Sequence, residues 1–187
     1  MRRRSFLKGI ASVAPAAALR DFTAIRAGAQ VAARPSSAVH VVGAGEDRFG
    51  SARSLGFSSL AFKVGSAETG GGLFVIEHTH LVPGGPPLHL HLNQEEWFYV
   101  MEGEVVFQVG EQRVQLKAGE SVLAPRRVPH TFSSVGGASH MLIGFCPAGK
   151  MEQYFRDAEE HKAAAGTAEF MRHYDMEWIG PSPFWKA

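Results

Sequence analysis

Residues 86–104 read PPLHLHLNQEEWFYVMEGE, and this stretch decides the fold. His89 and His91 are two positions apart, so on a β-strand both side chains project from the same side. Glu96 follows a short turn and opens a second apolar stretch that is typical of a strand. A hairpin between these two strands would bring the Glu96 carboxylate beside the two imidazoles.

A third imidazole can come from a distant strand. His130 follows the turn-forming residues 125–129 and begins another stretch with strand character. Three imidazoles and one carboxylate suit Fe(II), Mn(II), Co(II) or Ni(II), and also Zn(II). Four protein ligands leave open positions on a five- or six-coordinate metal, where a substrate can bind. We therefore predict one divalent metal ion bound by His89, His91, Glu96 and His130.

The chain around this stretch is rich in turns. Gly accounts for 21 of 187 residues, against a usual share of about 7%. Short apolar stretches alternate with Gly and Pro at a spacing of about ten residues. The stretches with strand character are residues 58–64, 73–80, 96–101, 104–109, 113–116, 121–124, 130–134 and 141–145. Closure would protect the edges of so many short strands. The prediction is an all-β fold, a small antiparallel β-barrel or jelly roll over residues 55–148.

Residues 149–187 form a C-terminal extension with a different period. Apolar residues recur at i, i+3, i+4 and i+7: Met151, Tyr154, Phe155 and Ala158. This spacing predicts an amphipathic helix of about three turns. A second short helix is expected over residues 168–173. Residues 176–185 are rich in aromatic side chains and should pack on the barrel or on a second subunit, so a homodimer is plausible.

The N-terminal residues 1–29 are typical of an export signal. Arg3 and Arg4 form a twin arginine, and the apolar run over residues 9–19 is shorter than the roughly 20 residues that span a bilayer. A small-residue cleavage pattern occupies residues 27–29. The expectation is a periplasmic or secreted protein that meets the membrane only during twin-arginine export. Residues 30–54 have no sustained period and predict a linker with one short strand over residues 39–42.

The charge of the chain is unevenly distributed. Residues 1–29 carry six basic side chains and one acidic side chain, a net of +5. Because the whole chain has a net charge of +1, the remainder is near −4. A mildly acidic body without a basic run argues against nucleic-acid binding.

The spacing of the predicted ligands resembles the two sequence motifs of the cupin family. The first motif, G-x5-H-x-H-x(3,4)-E-x6-G, is matched at His89, His91, Glu96 and Gly103. The second, G-x5-P-x-G-x2-H-x3-N, is matched at Gly119, Pro125 and His130. The departures are Pro83 at the first glycine, where Gly84 and Gly85 lie close by, Arg127 at an inner glycine and Ser134 at the asparagine. None of these residues is a metal ligand in the motif.

Glu95 is the alternative carboxylate ligand. The shorter spacing that the motif allows after His91 favours Glu95, whereas the six residues before Gly103 favour Glu96. The prediction is that Glu96 faces the metal and that Glu95 points away from it.

The segment 71–180 resembles quercetin 2,3-dioxygenase-like single-domain cupins in PGGPPLHLH, EEWFYVMEGE, APRRVPHTF and MEWIGPSPF. The resemblance implies a dioxygenase that inserts O₂ into a small phenolic or enolic substrate, with Glu96 as both metal ligand and catalytic base. Two alternatives stay open: an exported cupin that binds a small molecule or metal without turnover, and a metal-dependent isomerase or hydrolase.

Two further groups of residues are candidates for the substrate pocket. Inward aromatic and apolar side chains could form its wall or could be plain core: Phe98, Phe107, Phe132 and Met141. His78 and His80 form a second H-x-H pair, but no carboxylate follows at the required spacing. These two histidines are expected to line the mouth of the pocket or to face solvent.

Overall fold

The fold is built from short antiparallel strands, as the computed structural model shows for residues 39–51 and 53–185. The strands are β1 Arg53–Ser54, β2 Ser59–Val64, β3 Phe74–Leu81, β4 Leu88–His91, β5 Glu95–Glu102, β6 Glu104–Val109, β7 Gln112–Lys117, β8 Ser121–Ala124, β9 His130–Ser134, β10 Ser139–Cys146 and β11 Met176–Gly180. One sheet has the order β1-β2-β3-β10-β5-β8, and the other has the order β11-β4-β9-β6-β7. The predicted all-β fold with a C-terminal helix is confirmed.

The predicted strands agree with the observed ones to within one or two residues at each end. The strand expected over residues 39–42 is wrong. Residues 39–42 form no strand in the described part of the chain, and Val39 and Val41 are exposed there. Three observed strands lie outside the predicted ranges. Of these, β4 was implied by the placement of His89 and His91 on a strand, whereas the short strands β1 and β11 were not predicted. The predicted export signal lies outside the described residues.

Alternation along each strand divides the side chains between the core and the surface. In β5, Phe98 and Val100 are fully buried between the sheets, whereas Trp97 and Met101 on the opposite face are about two-fifths exposed. Glu96 belongs to the buried face of the same strand. The period-two pattern therefore carries a carboxylate into the barrel interior beside the aromatic core.

The C-terminal extension packs on its own barrel. Helix α1 (Met151–Glu160) buries the four apolar residues of its predicted face, and the ring of Phe155 lies 5.8 Å from that of Phe145. Helix α2 (Ala168–Arg172) then leads into β11, which pairs with β4 and sets Trp178 opposite His89. None of the helices in residues 39–51 and 53–185 is long and apolar enough to cross a membrane.

Part of the predicted linker is held on the barrel by buried charges. Asp47 pairs with Arg53 of β1 and accepts a hydrogen bond of 2.7 Å from the backbone N–H of Phe62. Lys63 donates to the Gly43 carbonyl at 2.6 Å and lies 2.8 Å from the Glu77 carboxylate. A periodicity analysis could not detect this anchoring, because the contacts join residues that are distant in sequence.

Glu77 makes the free energy of unfolding depend on pH, and the direction of the dependence follows from its pKa. Burial alone would raise the pKa of Glu77, but Lys63 and His140 outweigh it and hold the pKa below its ordinary value of 4.5. Such a carboxylate stabilises the folded state above the unfolded-state pKa, and this contribution is lost as the pH falls below it. The advantage of the wild-type protein over E77Q in the free energy of unfolding should therefore shrink as the pH falls from about 5.5 through 4.5 and below. Urea unfolding at each pH measures it, and a constant difference would contradict the prediction.

Candidate metal centre

The four predicted ligand residues meet at the junction of the two sheets. His89 and His91 lie on β4, and His130 begins β9, where it stands opposite His89 in the strand register. Glu96 comes from β5 in the other sheet. The hairpin predicted between β4 and β5 is wrong, because the two strands belong to different sheets and do not pair. The short turn between them crosses from one sheet to the other, so residues close in sequence face each other across the barrel.

The side chains of this cluster are close together and buried. One ligand atom from each of the four residues lies within 4.8 Å of the others, and no side chain of the set is more than 5% exposed. Oε2 of Glu96 lies 2.7 Å from Nε2 of His130 and 2.9 Å from Nε2 of His91. Glu95 instead points outward and forms an ion pair with Arg126. The structure thus brings Glu96, and not Glu95, into the cluster.

The surroundings favour the protonation states that bind metals. Burial, together with His130 and His91, lowers the pKa of His89 to about 3. Burial also lowers the pKa of His91. For Glu96, burial would raise the pKa, but the neighbouring His91 and His130 outweigh it and hold the pKa well below its usual range. Neutral imidazoles and an ionised carboxylate are the forms that act as metal ligands.

The hydrogen bonds around the cluster provide a test of whether a cation fits. Nδ1 of His89 lies 2.8 Å from the Pro87 carbonyl, and Nδ1 of His130 lies 2.9 Å from the Val128 carbonyl. Because a carbonyl only accepts, each Nδ1 carries a proton, and a ring that binds a metal then presents its lone pair at Nε2.

Among the described residues, no hydrogen-bond donor faces these lone pairs. For His130, Nε2 faces the Glu96 carboxylate, which is also an acceptor. Both ring nitrogens of His91 are buried without a hydrogen-bond partner among the described residues. A divalent cation in the middle of the cluster would turn these opposed lone pairs into coordinate bonds. The residues present therefore fit a metal ion, and the buried cluster suggests a metal site.

The two residues that differ from the second motif, Arg127 and Ser134, preserve the local geometry. Arg127 has a φ of 64°, the left-handed conformation that favours glycine, and its N–H donates to the His91 carbonyl at 2.7 Å. Ser134 bonds through Oγ to the Gly137 carbonyl and lies 2.7 Å from Oγ of Ser139, which closes the turn between β9 and β10. The backbone conformation expected of the motif is thus present without its usual residues.

A cavity of about 210 Å³ opens beside the cluster, and His89, His91 and Glu96 form part of its wall. Its other lining residues are Leu55, Phe57, His78, Gly85, Pro86, Pro87, Phe132, Ile143, Phe145, Met151, Tyr154, Phe155, Ala158, Lys162, Ala165, Gly166, Met171, Met176 and Trp185.

Only one of the four predicted pocket residues lines this cavity, namely Phe132. Phe98, Phe107 and Met141 are packed in the core between the sheets, which is the other role that the sequence left open for them. Sequence reasoning missed the wall formed by the C-terminal extension, although the apolar face of α1 had been recognised. It left His78 undecided, although Phe74, Ile76 and His78 alternate along the inward face of β3.

Comparison with known proteins identifies the family. Residues 77–145 match the family model described as Cupin domain, and the match contains all four residues of the cluster. The barrel is a cupin domain. The matched segment ends at Phe145, one residue before the end of β10. The C-terminal extension, which completes the cavity, therefore lies outside the match.

Two curated relatives and one solved structure are similar to parts of this chain. An uncharacterized protein of Methanocaldococcus jannaschii is 29% identical over 65 residues, which are 34% of this chain and 52% of the relative. A 3-hydroxyanthranilate 3,4-dioxygenase of Xanthomonas euvesicatoria pv. vesicatoria is 33% identical over 70 residues, 34% of this chain and 40% of the relative. The chain thus spans about half of these relatives or less. An RmlC-like cupin from Shewanella frigidimarina is 19% identical, with a TM-score of 0.49 and coverage of 59% of this chain and 93% of that one.

Proposed function

We propose that this cupin is a metal-dependent dioxygenase that adds O₂ to a small phenolic or enolic substrate, in the manner of quercetin dioxygenases. The observation that carries the proposal is the buried set of three histidines and one glutamate at the wall of an apolar cavity. A structural metal site is usually closed by its ligands, whereas a catalytic site borders a space that a substrate can enter.

The chain's own residues divide the work in this proposal. His89, His91, Glu96 and His130 hold the metal, and the carbonyls of Pro87 and Val128 orient two of the imidazoles through Nδ1. When bound, a divalent metal supplies Lewis acidity and open coordination positions. The apolar wall excludes water from the substrate, which strengthens the electrostatic interactions within the cavity.

The cavity also limits the substrate. Its volume of about 210 Å³ lies below the roughly 300–1,000 Å³ of pockets that hold drug-sized ligands. A substrate with one or two rings therefore suits the cavity better than a three-ring flavonol. The similarity to a 3-hydroxyanthranilate 3,4-dioxygenase supports a small aromatic substrate over a larger one.

Oxygen consumption tests this function directly. The protein is freed of metal, reconstituted with Fe(II), Mn(II), Co(II) or Ni(II), and mixed without oxygen with either 3-hydroxyanthranilate or quercetin. On admission of air, we expect O₂ uptake in step with loss of the aromatic absorbance for at least one metal. The Zn(II) form is the matched control, because zinc fits the same ligands but has no redox chemistry.

The contrary outcomes are distinct. Absence of O₂ uptake in all four metal forms would count against a dioxygenase acting on these substrate classes. Substrate loss that proceeds equally without O₂ would instead support a metal-dependent isomerase or hydrolase. Tight metal binding that raises the melting temperature without any turnover would support a binding protein.

A further inference from the structure

His78 lies in the wall of the same cavity and belongs to no part of the metal cluster. Its side chain is 1% exposed, and its ring is stacked against Phe57 at 6.4 Å and edge-on to Phe132 at 5.8 Å. These two aromatic rings also line the cavity. The orientation of the imidazole is therefore fixed by packing on both sides.

The hydrogen bonds of Ser58 determine which ring nitrogen of His78 carries the proton. The Ser58 hydroxyl donates its single hydrogen to the Ser59 carbonyl at 3.0 Å. Its oxygen, 2.8 Å from Nδ1 of His78, must then accept, so Nδ1 of His78 is the donor. A neutral ring with its proton on Nδ1 presents a lone pair at Nε2. Burial lowers the pKa of His78 to about 4, so the ring is neutral near pH 7.

This lone pair stands out among the polar groups of the cavity wall. Among the hydrogen bonds of the described residues, the His78 side chain takes part in one, through Nδ1, which leaves Nε2 available to a ligand. The Tyr154 hydroxyl is already engaged, since it donates to the Ala165 carbonyl at 3.1 Å, and the Trp185 indole donates to the Gly85 carbonyl at 3.1 Å. Lys162 can only donate. His78 therefore offers the cavity a side-chain acceptor apart from the metal cluster.

We propose that Nε2 of His78 accepts a hydrogen bond from a hydroxyl group of the substrate, and so selects phenols and enols over their ethers. The inference rests on the proposed function in that it takes this cavity as the substrate site. An acceptor in the cavity that is left without a donor is unfavourable, so a ligand that lacks the hydroxyl is disfavoured. Ser58 acts as the positioning residue, because it holds the proton on Nδ1.

The test compares two ligands that differ in one place, where a methyl group replaces the hydrogen of the hydroxyl group. Calorimetry measures the binding of 2-naphthol and of 2-methoxynaphthalene to the Zn(II) form, which prevents oxidation. We expect the wild-type protein to prefer 2-naphthol by about tenfold, as one hydrogen bond of ordinary strength allows. H78L should lose most of this preference, and H78Q should keep part of it because its amide oxygen can accept.

Matched controls separate a binding role from a structural one. H80L changes the exposed histidine of the same strand and should keep the full preference. Zinc content must be equal in all variants, so that a direct contact between naphthol and the metal contributes equally. S58A should reduce the preference and shift the ¹⁵N NMR signals of His78 away from the Nδ1-protonated form.

The inference would be overturned by an unchanged preference in H78L, or by a wild-type protein that does not prefer 2-naphthol. A His78 ring protonated on Nε2 in the wild-type NMR spectrum would overturn it as well. The preference is measured without O₂ chemistry, so failure of the oxygen-uptake assay would not affect this result. Likewise, loss of the preference would not affect the oxygen-uptake result.

Discussion

The E96Q variant is expected to lose its divalent metal, whereas E95Q is expected to bind it as tightly as the wild-type protein. Glu96 is 3% exposed and lies within 2.9 Å of Nε2 of both His91 and His130. Its amide replacement has the same shape but removes the negative charge and one strong ligand. Changes to groups that merely orient a ligand cost about 10–100-fold in metal affinity. Loss of the ligand itself should cost at least about 100-fold.

E96Q should nevertheless remain folded without metal. The Gln amide can donate a hydrogen to the Nε2 lone pair of His130, which the Glu96 carboxylate cannot do. We therefore expect metal-free E96Q to unfold at the same temperature as the metal-free wild-type protein or above it. E95Q is the matched control, because Glu95 is the adjacent residue, points outward and pairs with Arg126.

Metal content after dialysis against a weak chelator, measured by mass spectrometry, checks this prediction. Equal metal retention by E96Q and the wild-type protein would show that the cluster is not the binding site. Loss of metal from E95Q alone would assign the ligand role to the neighbouring carboxylate. Circular dichroism confirms in each case that the variant is folded.

The G85A substitution is expected to destabilise the protein far more than G71A. Both glycines have a left-handed backbone, with φ of 79° at Gly85 and 83° at Gly71. A Cβ at Gly71 would meet no atom within 4 Å, whereas one at Gly85 would lie 1.7 Å from the backbone oxygen of Phe132. G71A therefore measures the conformational strain alone, about 1–2 kcal/mol. G85A adds a backbone collision that only a shift of β9 can relieve, and its cost should exceed about 4 kcal/mol.

The same substitution should weaken the metal site. Phe132 lies two residues after His130 on β9, so a displaced strand moves a ligand as well as the cavity wall. The carbonyl of Gly85 also accepts the hydrogen bond from Trp185 that holds the end of the C-terminal extension. Urea unfolding of both variants, with and without metal, measures these effects. Equal losses in G85A and G71A would contradict the close approach of Gly85 to β9.

The sequence by itself determined the local structure and the set of candidate ligands. Period-two alternation revealed the strands, the six residues before Gly103 favoured Glu96 over Glu95, and the 3.6-residue period revealed α1. These signals depend on neighbouring residues, because one face of each element must be apolar wherever the core lies. The spacing of His89, His91 and Glu96 likewise reflects two neighbouring strands joined by a short turn.

Only the tertiary structure decided what surrounds those ligands. The C-terminal extension closes the cavity with Tyr154 and Met171, which are more than sixty residues from His89 in the chain. Phe98, Phe107 and Met141 have the same inward pattern as Phe132, yet only Phe132 reaches the cavity. Alternation determines which side chains point into the barrel. How far along the barrel each of them lies depends on the strand register and on the position of the C-terminal extension. Those are set by contacts between distant residues, which no local pattern records.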